Sequence, residues 1–147
     1  MFLPHALADV ALLIGRVLLG VLFFAHGWQK LVTNGIEGTA AFFGQAGVPM
    51  PTLAAWGAAV VELVGGAALV LGLLTPLAAL VLLLDMIGAY LFVHAGKGLF
   101  IDQGGFELVG ALGAGCLLLI GSGPGRYSVD RKLFRRSGTG DRTRVRV

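Results

Sequence analysis

Four long apolar runs, separated by short polar links, organise the chain. They are Val10–Trp28, Leu53–Leu73, Leu77–Ala95 and Gly105–Gly121. At about 1.5 Å of rise per helical residue, each is roughly long enough to cross about 30 Å of hydrocarbon. Four such runs leave almost no residues for a polar surface. The pattern therefore predicts an all-α integral membrane four-helix bundle in place of a soluble core. The first run has no basic segment before it and no Ala-x-Ala cleavage site after it, so it reads as a span and not a secretory signal. In the link that follows, Asn34 and Glu37 have the spacing of a capping box, and Ile36, Ala40 and Phe43 recur at helical spacing. This predicts a short amphipathic helix over Gly35–Gln45 at the membrane interface, ended by Gly47, Pro49 and Pro51. A loop with no role beyond connection is the alternative.

Composition supports the membrane reading. Of 147 residues, 56% are hydrophobic and 13% charged, against about 25% charged in soluble domains. The 24 glycines suit close helix contacts in lipid. Glycine-rich faces on the second and fourth runs also suit a homodimer. The net charge of +3 is unevenly placed, because eight of the eleven Lys and Arg residues lie between Arg126 and Val147. The domain is thus residues 1–134, followed by a basic, flexible tail over 135–147 that is too polar to fold alone. By the positive-inside rule the tail is cytoplasmic, and four spans place the N-terminus there too. Lys30 and Lys97 then sit on the outer side, against the rule. The tail would contact anionic headgroups. Without an aromatic or folded basic surface beside it, it gives no support to nucleic-acid binding. The single cysteine, Cys116, allows no intrachain disulfide and no CxxC pair.

Ionisable residues inside the runs are costly in lipid and so are candidates for pairing or function. Counted along helices, Arg16, Glu62 and Asp85 lie about 9, 16 and 12 Å from the cytoplasmic end. They are expected to form a structural charge network near the midplane, with Glu62 the best partner of Arg16. Glu62 shares a small-residue face with Ala54, Ala58 and Gly66; Arg16 shares one with Gly20 and Gly27. Asp85 and His94 are nine residues apart, about 180° around a straight helix, so one faces elsewhere or the helix bends at Gly88. A second polar layer lies toward the outer surface: His26, Gln29, Lys30, His94, Lys97 and Glu107, with Trp28 as an interface aromatic. His26, His94 and Glu107 are the candidate catalytic groups there, with Trp28, Gln29 and Lys30 as binding residues. Histidine with carboxylate could bind and deprotonate a quinol. Two histidines could instead ligate haem, and a polar network that only orients helices is the third reading. No HExxH metal motif, serine-based triad or glycine-rich nucleotide loop occurs.

Several segments together resemble the DoxX family of bacterial membrane proteins. They are RVLLGVLFFAHGWQKL (Arg16–Leu31), Gly47-Val48-Pro49, ELVGGAALVLGLLTPLAAL (Glu62–Leu80), GGFE (Gly104–Glu107) and GPGRYSVD (Gly123–Asp130). The resemblance spans about residues 10–132 and rests on their order and spacing. It implies a four-helix bundle in the bacterial cytoplasmic membrane, and a link to quinone-coupled sulfur oxidation or to assemblies handling thiol and oxidative stress. Arg16, His26, Lys30, Glu62 and Glu107 are the motif-matching positions. The function expected is a membrane subunit of a quinone-linked redox system, receiving electrons through redox partner proteins. The alternative is a non-catalytic scaffold that recruits soluble redox enzymes.

Overall fold

A computed structural model of the protein describes residues 4–136, and the expected basic tail lies outside the described residues from position 137 on. Every regular element among the described residues is helical. Helix α1 covers His5–Trp28 and continues through a π turn at Gln29–Thr33. Then come α2 (Gly35–Gln45), α3 (Pro51–Leu71), α4 (Thr75–Ala89, continued by a π turn at Tyr90–His94), α5 (Glu107–Ser122) and α6 (Val129–Arg136). The spans His5–Thr33, Pro51–Leu71 and Thr75–His94 are long and apolar enough to cross a membrane. The fourth run forms a shorter apolar helix of 16 residues, about 24 Å long.

Helix α2 has the expected bounds, but the capping box does not form. Asn34 has helical dihedrals and no side-chain cap bond. The chain arrives already helical from the π turn, so there is no extended residue to act as N-cap. Thr39 Oγ1 instead donates to the Lys30 carbonyl (3.0 Å), tying α2 to the π turn.

Helix α1 packs mainly on α3, α4 on α5, and α2 lies on α3. The α1–α3 crossing is nearly backbone against backbone. A Cβ added at Gly66 would lie 2.6 Å from the Gly20 carbonyl, and one at Gly27 would lie 2.7 Å from the Leu63 amide. Only glycine permits such an approach, which gains dispersion along the whole crossing. Leu19, Phe23, Leu69, Leu82 and Cys116 fill the core between the helix pairs. The outward faces are also apolar, with Leu53, Val64, Leu84 and Leu118 all more than half exposed. A helix apolar on both sides is one that meets lipid.

At the end of the bundle where α3 turns into α4, Arg16 is 1% exposed, but Glu62 is not its partner. Its guanidinium donates to the carbonyls of Pro124 (3.0 Å) and Tyr127 (2.8 Å). It packs so closely on Gly72 (φ +69°) that a Cβ there would collide with Nη1. Arg16 is therefore level with Gly72, ten residues or about 15 Å along α3 from Glu62. The error in the expected pairing is one of register, because the register is set by the glycine contacts between the helices and not by the ends of the apolar runs. Asp130, buried at the same end, accepts from the amides of Leu74 (2.6 Å) and Thr75 (2.9 Å). It thereby satisfies the first turn of α4 and holds Leu74 at φ +47°, a strained value for leucine. Ser128 Oγ accepts from the Arg131 amide (3.2 Å) and starts α6.

Candidate functional site

The α3 and α4 helices are joined by a tight link at Gly72–Leu74, and toward their other ends a cavity of about 500 Å³ lies between them. Its size is within the range of small-molecule sites. Small residues on α3, Ala54 and Ala58, leave room on one side. Phe42 and Phe43 of α2 cover it, and Val109 and Leu112 of α5 form the back. Five ionisable or imidazole side chains interrupt this apolar lining: His26, Lys30, Glu62, Asp85 and His94.

Lys30 Nζ lies 2.6 Å from Glu62 Oε2, in a salt bridge whose Glu62 side chain is 3% exposed. Asp85 lines the same cavity, near Glu62 and Lys30. The three groups therefore form one lysine–carboxyl cluster. The π turns explain how they meet. A π turn holds one residue more than an α turn. With it, the nine residues from Asp85 to His94 turn through about 80° instead of about 180°. Both therefore line the cavity, and the adjustment lies at Tyr90–His94 and not at Gly88. The π turn at Gln29–Thr33 likewise carries Lys30.

The two histidines are held alike. His26 Nδ1 donates to the Leu22 carbonyl (2.8 Å) and His94 Nδ1 to the Gly104 carbonyl (2.7 Å). Each neutral ring then presents Nε2 as an acceptor.

Of the expected outer layer, His26, Lys30 and His94 are thus brought together, while Trp28, Gln29, Lys97 and Glu107 do not line the cavity. Glu107 Oε1 accepts from the Ile101 amide (2.9 Å), which closes the loop before α5. Trp28 is half exposed on the outside of α1. Asp85 and Glu62, expected as a structural network with Arg16, belong to the cavity instead. A signal for Asp85 existed in the sequence, since it shares a face with Gly88, Ala89 and Phe92 at helical spacing. The sequence marks Phe43 only as part of an apolar helix face, and the capping role of Asp130 had no such signal.

The donor set fits some groups better than others. Haem iron would be held by the two Nε2 atoms. A headgroup of one ring with polar substituents would be held by the same imidazoles and by the Lys30–Glu62 pair.

Apolar-faced helices around a ligand-sized cavity define a helical membrane protein. The chain belongs to the DoxX family, whose model, described as DoxX, matches residues 11–95. It is 35% identical to the uncharacterized membrane protein Rv3486 of Mycobacterium tuberculosis, covering 92% of this chain and 88% of that one. It is 35% identical to the Bacillus subtilis protein named "Putative oxidoreductase CatD", over 78% of this chain and 81% of the relative. It is 34% identical to the inner membrane protein YqjF of Escherichia coli, over 88% and 97%. No solved structure matches it.

Proposed function

We propose that this protein is the membrane subunit of a quinone-linked redox system concerned with sulfur, thiol or oxidative-stress chemistry, and that the cavity beneath α2 is its quinone site. The observation that carries this reading is the lysine–carboxyl cluster of Lys30, Glu62 and Asp85 set in an otherwise apolar cavity of about 500 Å³. The name of the Bacillus relative adds support for redox work. The Escherichia coli relative, named an inner membrane protein, supports a place in the bacterial cytoplasmic membrane. The basic C-terminal segment supports an orientation with both termini cytoplasmic, which puts the cavity in the outer half of the bundle.

A bound quinone would supply reversible transfer of two electrons and two protons. The protein's part is to hold the headgroup and to manage protons. Lys30 fixes Glu62, the Glu62 and Asp85 carboxyls can take up or give protons, and His94 offers Nε2 as an acceptor. Phe42 and Phe43 exclude water from above. The chain carries no motif for a second redox group, so redox partner proteins bring the electrons in this reading.

Mass spectrometry of organic extracts from the purified protein tests it. The expected result is quinone enriched well over bulk membrane lipid, lost in a Lys30→Ala, Asp85→Ala double variant that still protects Cys116 from maleimide. No enrichment in the native protein would sink the quinone reading and leave the scaffold.

A further inference from the structure

The cavity's hydrogen-bonding groups are lopsided. Five polar side chains line it, and only one of them, Lys30, has donors free of backbone partners. One of the three N–H donors of that ammonium bonds Glu62 Oε2. Both histidine Nδ1–H groups are taken up by carbonyls, which leaves His26 Nε2 and His94 Nε2 as acceptors in the neutral rings. The two carboxyl groups hold four oxygens. One bonds Lys30, which leaves the other three for a ligand. What faces the cavity is therefore mainly acceptors.

The mouth narrows the class further. Leu84 and Phe92 line the cavity yet are 59% and 46% exposed. Leu84 continues the outward apolar face of α4 formed by Leu77, Leu80 and Leu91. The opening thus adjoins the face that meets lipid, while Phe42 and Phe43 of α2 cover the polar end. Anions are disfavoured by Glu62 and Asp85, and Lys30 disfavours an ammonium.

From this we infer that the cavity selects a lipid-soluble ligand with a neutral, hydroxyl-bearing headgroup that donates hydrogen bonds to His94 and the Glu62–Asp85 pair. The inference rests on the reading of this cavity as a ligand site. Applied to a quinone couple, it means preference for the reduced form. Unsatisfied buried acceptors are costly, and filling one or two by hydroxyl donors is worth about a factor of ten or more in affinity.

The test is calorimetric titration of the full chain in nanodiscs with five probes. They are a short-chain hydroquinone, its quinone, its dimethyl ether, an alkylammonium of similar size and a medium-chain monoacylglycerol. The hydroquinone is expected to bind about tenfold tighter than the quinone or the ether. Asp85→Asn, which replaces an acceptor with a donor, and His94→Phe are each expected to narrow that gap to about threefold, with Cys116 still protected. Equal or tighter binding of the quinone or ether overturns the inference but leaves the quinone reading standing. Tightest binding of the alkylammonium also overturns it. Binding of the monoacylglycerol with neither ring compound bound upholds the inference and removes the quinone. Failure of all five to bind overturns both.

Discussion

Lys30 Nζ sits 2.6 Å from Glu62 Oε2 and so joins the π turn that ends α1 to the middle of α3. The pair also forms part of the cavity wall. It therefore has two separable roles, in stability and in ligand binding. Cys116, the single cysteine and fully buried, provides a reporter of folding for the variants below, since it is accessible to maleimide only on opening.

Lys30→Met removes the cation from a carboxylate that is 3% exposed on its side chain. Stranding a buried charge costs about 3–5 kcal/mol. Because Lys30 is 20% exposed, the low end, about 3 kcal/mol, is expected. Adding Glu62→Gln removes the stranded charge and is expected to restore most of the loss. Thermal unfolding read by maleimide labelling of Cys116 checks both. A double variant no more stable than Lys30→Met would show that the pair does not matter in this way.

Gly66→Ala should weaken the α1–α3 crossing, since its Cβ would meet the Gly20 carbonyl and the Phe24 backbone. Backbone cannot move aside as a side chain can, so a cost of about 3 kcal/mol is expected, the upper end for overpacking. Gly57→Ala is the control. Nothing lies within 4 Å of a Cβ there, and mid-helix alanine over glycine is expected to stabilise by about 0.5–1 kcal/mol. Unfolding midpoints of the two variants should move in opposite directions.

Asp130→Ala removes both acceptors from the first turn of α4. Losing a helix cap costs about 1–2 kcal/mol, offset in part by relief of the left-handed φ of Leu74. Asp130→Asn keeps one acceptor and should cost less. Arg16→Lys is expected to behave like a loss, because an ammonium cannot reproduce the planar fork that reaches two carbonyls. Hydrogen exchange at the Leu74 and Thr75 amides would report the Asp130 effect directly; unchanged protection would refute it.

Glu107→Gln separates the loop from the site. Its carboxylate bonds the Ile101 amide and does not line the cavity. Ligand occupancy is expected to stay within about twofold of the native protein, with at most about 1 kcal/mol of stability lost. His94→Ala, by contrast, should cut occupancy about tenfold. Occupancy measured in parallel extracts decides between them.

Much of this architecture was legible in the chain. The four apolar runs, the helix over Gly35–Gln45 and the small-residue face bearing Glu62 all follow from periodicity, because helical geometry repeats locally. Periodicity also flagged Lys30, His26 and His94 as polar groups at one end of the bundle. It misassigned Arg16, because pairing across helices depends on register. It also grouped Glu107 with the outer polar layer and Asp85 with Arg16, whereas Asp85 lines the cavity and Glu107 closes the loop before α5; which side chains meet across helices is not a periodic property.

The sequence by itself determined that this is an apolar helical bundle with ionisable groups inside it. Apolar length, glycine content and charge distribution are properties of the chain, and lipid admits few structures that satisfy them. Only the tertiary structure decided which charges meet. Contact between glycines on α1 and α3 set Arg16 level with Gly72 and left Glu62 for Lys30. The π turn at Tyr90–His94 then rotated His94 into one cavity with Asp85 and Lys30. Both are effects of packing, in which a backbone contact or one extra residue in a turn moves a side chain by many ångströms relative to its partner.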